Sequence, residues 1–261
     1  MFNKEKLLSH LDSKEASNVD KILDKAELAL IDHKPTFTDF LNPRQLYIAK
    51  PVLAQIRDLK YLEYGGYNKA ERKMLALVPD YYIPDMIDPP LTVLNITGQF
   101  KFQQVSHRDF LGAILGTGIK RKKVGDLVLY KKGCQAIIAE QIKDFIMLNL
   151  EQVHQIGVQV EEISTTELRI EPQRTKEIRD TVASLRLDSV ASSGFSTSRS
   201  KMSKQIEKGS VKVNWKIVDD TSYMVDTDDI LSIRGRGRVE IDEILGKSRR
   251  GRIKLRLKRY L

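Results

Sequence analysis

The order of apolar segments between Leu91 and Ile163 restricts the fold more than any other feature of this chain. LTVLNITGQFKF is β-branched and aromatic, and HRDFLGAILG has helical spacing. DLVLY and CQAIIA are short apolar runs joined by the hairpin signal KKG. In EQIKDFIMLNLEQVHQIG, the apolar residues Ile142, Phe145, Ile146, Leu148 and Val153 predict one helix that Gly157 ends, and VQVEEI follows as a strand. The order β-α-β-β-α-β is that of a split βαβ sandwich.

The flanks read differently, and the whole is of the α+β class. Residues 1–84 are expected to be mainly helical. Val19, Ile22, Leu23, Ala26, Ala29 and Leu30 form an amphipathic stripe. A second helix is expected to start near Pro43 and to be kinked or ended by Pro51. Gly65 and Gly66 mark a turn, and Pro79, Pro84, Pro89 and Pro90 mark a stiff boundary. Residues 85–165 form the ferredoxin-like, RRM-like middle domain, without an evident RNA-stacking aromatic signature on its strands. Residues 166–183 are a polar connector with a lead-in helix or strand, and residues 184–261 form a small basic domain.

Charge separates these parts. From Thr181 onward there are 18 Lys and Arg against 10 Asp and Glu, whereas the preceding 180 residues carry 26 against 25. Nearly all of the net charge of +9 therefore lies in the last third, which is the footprint of a polyanion-binding module on a neutral body. No apolar run approaches the roughly 18 residues that span a bilayer. A single cysteine, Cys134, excludes an internal disulfide and any zinc spacing. A cytoplasmic protein is expected, or a stromal one in a plastid, with no membrane insertion, no metal and no cofactor.

The candidate binding surface lies in GFSTSRSKMSKQIEKGSVKVN. Ser196 or Thr197 is expected to cap a helix, since a hydroxyl accepts from free amides there. At about 100° per residue, Lys201, Lys204 and Lys208 share one face while Met202 and Ile206 form the buried stripe. Gly209 stops the helix. In the following strand Val211 and Val213 point inward, and Lys212 and Asn214 are expected to point outward. Arg199 in the first helical turn can bridge phosphates beside free N–H groups. A basic turn, Lys120 to Lys123, is a secondary candidate. The tail from Lys247 to Leu261 holds eight bases and no acids, and RIKLRLKRY alternates as a strand with Arg252, Lys254, Arg256 and Lys258 on its outer face.

These residues carry a resemblance. RLD at 186–188, SR at 198–199, a short helix to a glycine, VKVN and the late Asp229 with LSIRG resemble the RNA-binding domain named after small-subunit ribosomal protein S-four. The resemblance implies a compact αL-type fold that binds structured RNA, with Arg186, Ser198, Arg199, Lys201, Lys204, Gln205, Lys208 and Asn214 as contacts. Trp215 and Asp228 stand where that family usually has glycine. Y64GGYNKAER, S106HRDFLGAILGTGIKRKKVGD and SIRGRGR with its basic tail further resemble the YlmH-type proteins, from about Tyr64 onward. That implies ribosome association, on large subunits carrying peptidyl-tRNA in quality control, with rRNA or tRNA as partner. The cyanobacterial and plastid branch, labelled photosystem II S-four-domain protein, adds a hint of photosynthetic protein supply. Arg236, Arg238, Arg249, Arg250 and Arg252 are expected as further contacts.

Enzymatic readings are weaker. KMSK at 201–204 matches a tRNA-synthetase signature, but that chemistry needs a parallel nucleotide-binding fold and a separate histidine pair. RLD also occurs in pseudouridine synthases, whose catalytic domain has no counterpart around it. His107, Arg108 and Asp109 are adjacent on a helix and so diverge. An RNA-modifying enzyme would need a closed polar pocket within residues 85–165; a protein-binding assembly factor would use residues 1–165. The expected function is non-catalytic binding of structured RNA.

Overall fold

The computed structural model describes residues 2–100, 105–171 and 174–260, with the backbone alone at Asp85. The chain divides into two compact units, Met1–Ile170 and Glu171–Leu261.

The first unit begins with α1 (Lys4–Leu8), α2 (Ser13–Asp32), β1 (Thr36–Phe37), α3 (Pro43–Leu53), β2 (Leu59–Tyr64) and β3 (Met74–Pro79). Asp12 caps α2 by accepting from Glu15 N at 2.9 Å, and the expected stripe from Val19 to Ala29 is buried. Asn42 and Gln45 cap α3 reciprocally, each side chain accepting from the other's backbone N–H at 2.9 Å. Pro51 does not end α3, which runs on to Leu53. Proline in the last turn removes one hydrogen bond, and burial of Ile48, Ala49, Val52 and Leu53 holds the helix around it. The helices are joined by a sheet of order β1-β3-β2. Its centre, MLALVP, is buried at every position, so its apolar run carries no alternation to announce a strand.

The unit continues with β4 (Leu91–Gly98), α4 (His107–Gly116), β5 (Val124–Tyr130), β6 (Gly133–Ala139), α5 (Lys143–Asn149), β7 (Gln152–Val153) and β8 (Ile156–Ile163). The sheet order is β5-β6-β4-β8-β7, with every neighbouring pair antiparallel. This is the split βαβ arrangement expected from the sequence. β4 ends at Gly98, and residues 101–104 of the apolar run lie outside the described residues. The helix expected up to Gly157 stops at Asn149 instead. The chain then reverses through His154, at φ 56°, into a short hairpin. Val153 is fully buried from that hairpin, so it satisfies a helical apolar period without being helical.

Gly133 marks the closest backbone approach in this sheet. A Cβ there would lie 1.9 Å from Ile96 O. Gly133→Ala is expected to cost about 1–3 kcal/mol through forced backbone shifts, which a urea melt checks.

The second unit contains β9 (Thr175–Val182), α6 (Leu187–Gly194), α7 (Arg199–Glu207), β10 (Val211–Val213), β11 (Lys216–Ile217), β12 (Ile230–Ile233), β13 (Gly237–Lys247) and β14 (Ile253–Tyr260). Its sheet has the order β11-β10-β12-β13-β14-β9. Leu187, Val190, Phe195, Met202, Ile206, Leu231, Val239, Leu255 and Leu257 are among the residues of its core. The expected tail strand is present as β14, with Leu255 and Leu257 inside. Its opposite face is not the free row of cations that the sequence suggests. Arg256 and Lys258 both pair with Asp242 of β13, and Arg256 also meets Glu243 at 2.6 Å. Long side chains on a central strand reach acids that only the sheet pairing brings alongside.

Among the described residues, no helix is long and apolar enough to cross a membrane, and no group of three or more His, Cys, Asp or Glu is placed to hold a metal ion. Cys134 is buried, and burial pushes its thiol up to about 12.

Candidate RNA-binding site

Two short helices position the cationic side chains of the second unit. α6 ends at Gly194, and the chain turns through Ser196 at φ 51°. Ser196 and Thr197 belong to that turn, Thr197 N donating to Ser192 O at 3.0 Å, so neither is the cap. Ser198 caps α7 instead, its Oγ accepting from Lys201 N at 3.4 Å. Met202 and Ile206 are fully buried. Lys201, Lys204 and Lys208 are exposed on the opposite side, with Lys208 at the C-terminal cap. Gly209, at φ 66°, ends the helix.

The RLD and SR motifs meet at one carboxylate. Asp188, 4% exposed, accepts from Arg186 Nε at 3.3 Å and from Arg199 Nε at 3.0 Å. Arg199 also places a second guanidinium nitrogen 2.9 Å from Asp188. Arg186 and Arg199 side chains stay 36% and 52% exposed, so each still presents donors outward. Burial raises the Asp188 pKa, but the hydrogen bonds and charges of Arg186 and Arg199 outweigh it and hold the carboxyl below its ordinary value. Asp188 is thus a positioning carboxylate that pre-orients two guanidiniums, a role the sequence reading did not assign. The signal was the pairing of RLD with SR eleven residues on.

A pH dependence follows. A depressed folded pKa means that the stability Asp188 supplies is complete above the ordinary aspartate value of 3.8 and is lost as pH falls through the lower folded value. The stability difference between the wild type and Asp188→Asn is expected to shrink in acid below that value, which denaturant melts from about pH 2 to about pH 6 check.

The remaining expected contacts divide by environment. Lys212 is exposed between the buried Val211 and Val213. Asn214 does not share that outer side. It lies just past β10 at φ 46° and is 6% exposed, its amide donating to Asp229 at 2.6 Å and its oxygen accepting from Ile230 N at 3.0 Å. Gln205 is half-buried with its Oε1 enclosed. Arg236 donates to Phe195 O at 2.9 Å, and Arg238 lies over the Tyr260 ring at 5.5 Å. Arg249 and Arg250 are exposed in the β13–β14 turn, while Arg252 bonds Thr181 on β9. In the first unit Lys120 is exposed, but Arg121 donates to the carbonyls of Val124 and Gly125. Lys122 and Lys123 pair with Asp39 at 2.8 and 2.5 Å.

Trp215 and Asp228 have φ values of 63° and 68°. Both occupy left-handed backbone, which is where glycine is ordinarily favoured.

The enzymatic motifs fall elsewhere in the physics. KMSK is the middle of α7, with Met202 in the core and Ser203 Oγ donating to Arg199 O at 3.0 Å. A cleft of about 700 Å³ opens beside α4, lined by Asp109, Gly112, Gly116, Gln152 and His154 among others. His154 Nε2 lies 3.0 Å from Asp109, but Asp109 also accepts from Ser106 as the α4 capping group. The hydroxyl in the cleft lining, that of Thr117, donates to Ile114 O at 2.7 Å.

Comparison with known proteins adds to this geometry. Residues 14–82 match the family model "YlmH, N-terminal", residues 84–167 match "Putative RNA-binding domain in YlmH", and residues 185–231 match "S4 domain". The ribosome-associated protein quality control protein P2 of Bacillus subtilis (strain 168) is 38% identical over 254 residues, covering 97% of this chain and 98% of that protein. The solved structure of the cell division protein ylmH from Streptococcus pneumoniae is similar with a TM-score of 0.53 at 27% identity, over 62% of this chain and 98% of that one. With the same three regions in the same order and a full-length relative at this identity, the chain belongs to the YlmH family, with RNA-binding domains that include a C-terminal S4 domain.

Proposed function

We propose that this chain binds structured RNA of the ribosome, rRNA or tRNA, without chemistry of its own, and that it acts in translation quality control on large subunits carrying peptidyl-tRNA. The observation that carries this reading is the cationic face of α7 beside the guanidinium pair on Asp188. Helix lysines supply point charges to phosphates, and arginines fixed by a buried carboxylate supply oriented donors with little ordering left to lose. The printed name of the Bacillus relative supports the ribosomal setting. Nothing in the names printed for the two relatives above supports a role in photosystem II, which stays outside this proposal.

Co-sedimentation of the full chain with purified large and small ribosomal subunits tests the reading. The chain is expected with large subunits, and Arg186→Ala, Arg199→Ala is expected to release it. Equal recovery with both subunits, or full recovery of the double variant, would overturn the assignment.

A further inference from the structure

β9 is an end strand of the second unit's sheet. β14 pairs with one of its edges, and no other described strand pairs with the second. Thr175, Lys176, Glu177, Arg179 and Asp180 are exposed, and Ile178 is half-buried against the core. Thr181 shows which backbone groups face outward. Its N–H donates to the Asp180 side chain at 2.7 Å, and its carbonyl accepts from Arg252. A residue of an antiparallel ladder turns both groups to one side. Thr181 therefore points them away from β14, and Glu177 and Arg179 do the same. An unpaired row of this kind is a template for another strand.

Charge is the usual guard of such an edge, and it guards by repulsion. Here the order of charges is self-complementary. Residues 176–180 read cation, anion, Ile178, cation, anion. A two-fold axis through Ile178, perpendicular to the sheet, sets Lys176 opposite Asp180 and Glu177 opposite Arg179 of a second copy. The axis has to pass through a residue, since only then do the core-side faces of the two sheets match. An axis at Glu177 or at Arg179 sets that charge against its own copy, and like charges directly opposite are destabilising. The β14 side leaves the same cations unmatched. Lys176 is opposite Arg259 and Arg179 is opposite Arg256, like against like. Arg179 meets Glu177 of its own strand at 2.7 Å, and the two side chains stay 70% and 49% exposed.

We propose that β9 is a self-association edge, which joins two copies of this chain as an antiparallel pair about Ile178 and makes one continuous sheet of two. Glu177 and Arg179 of opposite copies exchange both backbone hydrogen bonds, and their side chains meet on the outer face. Lys176 and Asp180 meet on the core side, where Ser193 Oγ already holds the Asp180 carboxylate at 2.6 Å. The two Ile178 side chains meet on the axis. Such a contact is isologous and uses up the edge on both copies, so it closes at a dimer. Its small area makes that dimer a weak one, formed at high chain concentration. It uses neither the α7 lysines nor the guanidinium pair on Asp188.

Sedimentation equilibrium of the full chain, freed of nucleic acid, tests this from about 1 µM to about 1 mM, the range of weak association. A monomer–dimer equilibrium is expected for the wild type. Lys176→Glu, Arg179→Glu makes every charged pair across the edge repulsive and is expected to weaken dimerisation about tenfold or more. Glu177→Lys, Asp180→Lys reverses the other half of each pair and is expected to do the same. Mixing the two variants makes every pair attractive again, and a heterodimer is expected where each variant alone is monomeric. Melting curves check folding. Where loss of the Asp180–Ser193 bond unfolds the second variant, Glu177→Lys alone takes its place in the mixture. A wild type that stays monomeric throughout, a dimer that neither reversal weakens, or folded variants that form no heterodimer would overturn the proposal.

Discussion

Replacing Lys201, Lys204 and Lys208 together by alanine flattens the dependence of RNA affinity on salt by about two to three units in the plot of log affinity against log salt. Each lysine that meets a phosphate releases condensed counterions, adding roughly 0.7 to 0.9 to that slope. The three side chains are exposed, and none of them takes part in the ion pairs around Asp188. The loss should be nearly uniform across RNA sequences, because phosphates carry no base identity. Folding should survive, since exposed lysine-to-alanine changes usually stay within about ±0.5 kcal/mol. The measurement is RNA affinity across a salt titration with a melting curve for each protein. An unchanged slope in the folded variant would mean that these lysines are only a solvated face.

Met202→Ala is expected to do the reverse. Met202 is fully buried and packs with Ile206 into the core of the second unit. Truncation there loses the transfer free energy of the side chain and leaves a cavity, a cost of about 2–5 kcal/mol. The salt slope of the protein that remains folded should be retained, because no phosphate contact has been removed. A urea melt gives the stability, and the same salt titration gives the slope. A loss below about 0.5 kcal/mol would contradict the packing described for α7.

The two variants also show which parts of the site were legible in sequence. Lys201, Lys204, Lys208, Met202 and Ile206 are related by steps of three and four, and a helix turns such steps into faces without help from distant residues. The middle sheet was legible for a similar reason, since its elements succeed one another with clear turn signals. The errors arise where a distant partner decides. Strand parity placed Asn214 outside, but β10 ends one residue earlier, and the turn folds the amide inward onto Asp229 and Ile230. Parity placed Arg256 and Lys258 correctly on one face of β14, yet could not show that Asp242 lies beside them. Arg121 sits in a basic run but spends its guanidinium on backbone carbonyls. The role of Asp188 was not legible, because Arg186 and Arg199 converge on it only in the folded unit.

Photocrosslinking of the full chain to a bound structured RNA, with the crosslinked peptides identified, tests the central claim most directly. Crosslinks concentrated between Arg186 and Lys216 are the predicted result, with those on α7 lost in the triple-alanine variant. Crosslinks to structured RNA confined to residues 1–170 would contradict it.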